Sequence, residues 1–87
     1  MERLTRKNAA GAWELDPARL PEAAERLARY ECFVQELPRE LEQISAELEE
    51  LRAAGKEKTV KFRELMAKKL TDRSLLLRLE EAGLAEP

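Results

Sequence analysis

Leu20, Ala23, Leu27, Tyr30, Val34, Leu37, Leu41, Ile44, Leu48 and Leu51 follow one another at alternating intervals of three and four. That spacing is the a/d pattern of helices that pack side by side. Two readings are open. The stripe is a seam between copies of the chain, or it faces the chain's own C-terminal third. Ala24 and Phe33 flank it, making the apolar side broader than a strict dimer seam and closer to what a globular bundle needs. Both readings can hold together, a helical hairpin covering one side and a second copy the rest. Leu20, Ala24, Leu27, Tyr30, Phe33, Val34 and Leu37 are the residues expected at such an interface.

Proline and glycine punctuate this pattern. Asp16-Pro17 reads as a turn, with Asp a good N-cap and Pro suited to a first helical position. A helix is expected from Pro21 to Leu37. Pro38 removes one helical hydrogen bond and disfavours helix at the residue before it. Either the helix kinks there or a second helix opens on Pro38 and runs to Ala54, with Gly55 as its C′ cap. A third element spans 57–82, with Gly83 as its C′ cap and Leu84 reaching back to Leu79. Thr71-Asp72-Arg73-Ser74 lies in its middle. These are weak helix formers and good caps, so the element is one helix or two short ones.

Residues 1–15 differ in kind. Two short extended runs flank Asn8-Ala9-Ala10-Gly11 and suggest a β-hairpin or an extended arm. An isolated two-stranded hairpin is barely stable in water, so Trp13 and Leu15, or Leu4, are expected to pack against helix. The expectation is a mainly α single domain of 87 residues: a helical hairpin or three- to four-helix bundle carrying a short N-terminal β-hairpin or arm.

Charge favours the hairpin. Residues 31–50 hold seven Glu against one Arg, while residues 56–78 hold eight bases against three acids. An acidic helix and a basic helix joined by a short turn favour antiparallel pairing, although each exposed pair contributes only ~0–1 kcal/mol. The complementarity selects register more than it supplies stability.

Several functional classes fall away. The net charge of −2 draws the chain neither to nucleic acid nor to acidic membrane. With one cysteine, Cys32, and no histidine, a zinc site has no ligand set. No apolar run reaches the ~20 residues of a membrane span, and no signal peptide opens the chain, so a cytoplasmic, reducing setting is expected. Carboxylates abound but sit on solvated helix faces, with no Gly-rich phosphate loop and no nucleophile–base pair, so no enzyme and no cofactor is expected. Cys32 is read as a half-buried bystander, and Trp13 and Tyr30 as core anchors.

The segment Phe62–Leu70, Thr71–Ser74 and Leu75–Leu84 resembles the helix-turn-helix of winged-helix regulators, in which a second helix enters the major groove. Lys68, Lys69, Arg73, Ser74 and Arg78 would then touch nucleic acid. The turn carries Thr71 and Asp72 where Gly and an apolar residue are usual. A helix opening Leu75-Leu76-Leu77 also lacks the polar, basic outer face that groove reading needs. DNA-binding regulation is therefore the alternative reading.

Met1-Glu2-Arg3-Leu4-Thr5, Gly11-Ala12-Trp13 and Glu25-Arg26-Leu27-Ala28-Arg29-Tyr30-Glu31 resemble small proteins encoded by phages and prophages of Gram-positive bacteria. Those proteins open Met-Glu-Arg-Leu-Thr and carry Arg-Leu-Ala-x-Tyr-Glu. Pro38-Arg39-Glu40-Leu41 and the stretch Gly55–Leu65 look similar to later parts of some members. Cys32-Phe33-Val34 departs from the Asp-Thr-Gly-Leu that often ends their first helix, which favours a longer first helix here. The group has no established activity to carry over. The resemblance implies a small helical accessory role in a phage or mobile element, acting by protein–protein interaction or as a homo-oligomer.

Overall fold

The computed structural model describes residues 1–86. They divide into two compact units, the first Met1–Cys32 and the second from Phe33 onward. One helix passes from the first into the second.

In the first unit, β1 (Thr5–Lys7) and β2 (Trp13–Leu15) form an antiparallel hairpin in the register Thr5↔Leu15, Arg6↔Glu14, Lys7↔Trp13. Asn8 shapes the turn. Its side-chain oxygen accepts from the amides of Ala10 at 2.9 Å and Ala12 at 3.0 Å, and Gly11 supplies the positive φ of 79° that closes it. Arg6 and Glu14 pair across the strands at 3.1 Å.

Trp13 departs from the expected core anchor: it is 57% exposed. Its ring lies between two cations, Arg3 at 4.6 Å and Lys7 at 5.3 Å from the centroid. Cation–π contact holds the ring at the surface and contributes about 0.5–1 kcal/mol at an exposed site. Leu4 and Leu15 are the half-buried apolar residues of the hairpin segment.

Asp16 caps a 3-10 turn, Pro17–Arg19, by accepting from the Ala18 amide at 3.0 Å. This is the turn that Asp16-Pro17 announces. The first α-helix, α1, begins at once and spans Leu20–Ala53. The expected division into helices 21–37 and 38–54 is therefore corrected, because α1 runs through Pro38 without a break. Two features of the sequence explain this. Pro38 is exposed, so its ring meets solvent rather than the packed side of the helix. The buried and half-buried residues Val34, Leu37, Leu41 and Ile44 lie on both sides of it, and burying all of them requires one continuous helix.

In the second unit, α1 ends in a Schellman motif. Lys56 N–H donates to Leu51 O at 2.8 Å and Gly55 N–H to Arg52 O at 3.0 Å, with Gly55 at φ 71°. Thr59 caps the second helix, α2 (Val60–Glu81), by accepting from the Phe62 amide. The element expected over 57–82 is thus one helix. Gly83 and Leu84 repeat the Schellman motif, Leu84 N–H donating to Leu79 O at 2.8 Å.

Within this unit α2 packs antiparallel against the second half of α1. Lys68 Nζ lies 2.6 Å from Glu40 Oε1, and the Arg52 guanidinium lies 5.5 Å from the Phe62 ring centroid. The arrangement among the described residues is two packed helices, α1 and α2. Its buried apolar residues among those described are Leu37, Ile44 and Leu48, at 2%, 4% and 1% exposure. Each is worth about 1.5–3 kcal/mol relative to exposure, so a few side chains carry the unit.

Candidate functional site

The seven residues expected at an interface all lie on one side of α1, but they meet different fates. Leu20, Leu27 and Phe33 are 59%, 56% and 47% exposed, and Ala24 is exposed. Tyr30 and Val34 are half-buried. Leu37 is 2% exposed and belongs to the core of the hairpin, so it leaves the candidate surface. The intramolecular hairpin claims it first.

Inside the first unit Leu27 and Tyr30 border a groove. Met1, Arg3, Leu4 and Thr5 lie along one wall and Ala23, Arg26, Leu27 and Tyr30 along the other, enclosing about 530 Å³. Two arginines hold the N-terminal segment in place. Arg26 donates to the Glu2 carbonyl at 2.9 Å, and Arg19 pairs with the Glu2 carboxylate at 2.8 Å. Arg19 also grips Glu22 at 3.0 Å, and these two carboxylates raise its pKa above the ordinary value. The groove is open, mostly apolar in its lining residues, and rimmed by cations.

The residues proposed for nucleic acid are not gathered. Because α2 is continuous, residues 71–74 form no turn and the helix-turn-helix geometry is absent. Lys68, Lys69, Arg73, Ser74 and Arg78 are distributed around the circumference of a single helix. Lys68 is engaged by Glu40, and Lys69 is half-buried. Cys32 is exposed rather than half-buried.

One feature escaped the sequence reading. The inward side of α2 is Phe62, Leu65, Lys69, Asp72, Leu76 and Leu79, at the same 3,4 spacing as the stripe on α1. Two polar residues interrupt it in the middle, which hid the pattern. The signal was the resumption of the heptad at Leu76 in phase with Leu65.

Asp72 is only 6% exposed, and its Oδ2 has no hydrogen-bond partner. It is hydrogen-bonded to Glu40, which also holds Lys68. Burial, then the contact with Glu40, pushes the Asp72 carboxyl above its ordinary value, while Lys68 opposes this. Hydrogen bonds from Lys68 and Asp72 hold Glu40 below the usual carboxylate range. Glu40 raises Lys68 in turn. Burial and Glu40 thus favour the protonated form of Asp72, while Lys68 and Asp72 favour the ionised form of Glu40.

Among the described residues no cluster of metal-ligating side chains occurs, and no helix is long and apolar enough to cross a membrane. Comparison of the chain with protein-family models, with curated proteins and with solved structures gives no match.

Proposed function

We propose that the chain is a small helical protein of phage or prophage type that works through protein–protein contact, self-association included. The observation that carries this reading is the exposure of Leu20, Leu27 and Phe33 on the first half of α1. Single exposed leucines are ordinary on a protein surface. Leu20 and Leu27, a heptad apart on one side of a helix and with Leu27 lining an apolar groove, are the kind of exposed apolar pair that marks interaction sites.

Light scattering over a concentration series tests the reading on the full chain. The expected result is a mass that rises with concentration and rises less in a Leu20→Glu/Leu27→Glu/Phe33→Glu variant with unchanged helicity. A strict monomer at the highest concentration overturns self-association. Neighbouring genes test the origin: phage structural, lysis or repressor genes alongside support it, and metabolic genes oppose it.

A further inference from the structure

The C-terminal helix has two apolar sides. One faces α1. On the other lie Ala67, Leu70, Ser74 and Leu77, again three and four apart and all exposed, Leu70 at 61% and Leu77 at 55%. Arg63 and Glu81, both exposed, extend the same line at its two ends. This is a second a/d stripe on one helix, and the hairpin does not cover it.

We infer that this face is the seam of a two-fold dimer in which α2 lies antiparallel to α2 of a second copy. The inference rests on the self-association reading but uses a different surface.

Charge selects both the occupant and the direction. On this face the basic end is Arg63 and the acidic end is Glu81, both exposed. An antiparallel pair sets Arg63 of each copy beside Glu81 of the other. A parallel pair sets base against base, which is disfavoured.

Side-chain size selects the register. Antiparallel seams pair an a position with a d position. Centring the two-fold axis between Leu70 and Ser74 places Leu70 of each copy against Ser74 of the other, and Leu77 against Ala67. Every inner layer then joins one large residue to one small one, which lets the helices interdigitate without a void. The same register brings Arg63 of each copy to Glu81 of the other. A two-fold interface requires this self-complementarity, and one helix supplies it.

Cysteine cross-linking tests the geometry directly. In a Cys32→Ser background, Arg63→Cys/Glu81→Cys is oxidised and run without reductant. Within one helix the two positions stand about 27 Å apart at 1.5 Å per residue, beyond the reach of a disulfide, so any bond joins two chains. The expected result is a covalent dimer from the double variant and monomer from each single variant. No dimer from the double variant overturns the inference. A dimer in equal yield from Arg63→Cys alone also overturns it, since it signals a parallel pair or random collision.

A charge exchange gives a second readout. Arg63→Glu should weaken the dimer several-fold, and Arg63→Glu/Glu81→Arg should restore it. If the chain self-associates, loses this with the α1 changes and yields no cross-link, the self-association reading stands and this seam falls. If cross-linking succeeds while the α1 changes leave the mass unaltered, the seam stands and α1 is not the association surface.

Discussion

Leu20, Leu27, Leu41 and Leu48 occupy one heptad position of one helix, seven residues apart in each half. Leu27 is 56% exposed and Leu48 is 1% exposed. The residues are the same; the chain laid over them is not. After Ala53 the Schellman turn at Gly55 sends α2 back along residues 33–53, and α2 buries the side chains opposite it. Residues 20–32 instead receive three-residue strands and an N-terminal segment held by Arg19 and Arg26. Periodicity specifies a helix and its apolar side; it does not specify whether a partner arrives.

The largest effect should separate these halves. Leu48→Ala removes a fully buried side chain and should cost about 2–5 kcal/mol of unfolding free energy. Leu27→Ala should stay within about 0.5 kcal/mol, as surface changes do. Urea unfolding of the two variants at a concentration where the chain is monomeric makes the comparison. Equal losses would mean that the two halves are not distinct.

Pro38 sharpens the same contrast, because it stands near the boundary. Proline inside a helix is about 3 kcal/mol less favourable than alanine. The exposed side of α1 accepts it here, but the hydrogen bond it lacks is still lost. Pro38→Ala should therefore stabilise the chain by up to about 3 kcal/mol, read as a rise in urea midpoint with unchanged helicity. A loss of stability would mean that Pro38 sets a bend that the packing of Leu37 and Leu41 needs.

Much of this fold could be read from the residues. Gly55 and Gly83 were recognisable as C′ caps because each closes a periodic run. The hairpin showed in its turn residues, and the α1–α2 pairing in the charge imbalance. Pro38 misled because its local cost is real, yet the apolar residues on both sides outweigh it. Trp13 misled because size suggested a core, whereas Arg3 and Lys7 give its ring a surface environment. The exposed half of the stripe could be named from sequence but not recognised as exposed, since that depends on where α2 ends. The contact between Asp72 and Glu40 was hidden for another reason: the two are distant in sequence, and each looks like a solvated charge until the register of the hairpin brings them together.

The contact between Asp72 and Glu40 gives the second unit a pH response. Asp72 has a folded pKa raised above its unfolded value, so its contribution is fully present below the unfolded pKa and is lost as pH rises through the raised one. Glu40 runs the other way: its depressed pKa gives stability above the unfolded value, lost as pH falls through the folded one. The hairpin should therefore be most stable in the acid window between them, where Glu40 is ionised and Asp72 is not. Glu40 raises the pKa of Lys68, so the decline toward neutral pH belongs to Asp72. Asp72→Asn should flatten that decline in a series of urea midpoints taken from about pH 4 to 8. Asp72→Leu completes the apolar run from Leu65 to Leu76 and removes the unpartnered oxygen. It should stabilise the chain at neutral pH by about 1–3 kcal/mol, the cost of leaving a buried polar atom unsatisfied. Replacing Asp72 also frees Glu40 to pair with Lys68 alone, so the variant should lose the proton coupling without losing the cross-helix ion pair. A slope that persists in Asp72→Asn would place the titrating group elsewhere, and a destabilised Asp72→Leu would mean that the polar pair fixes the register in which α2 meets α1.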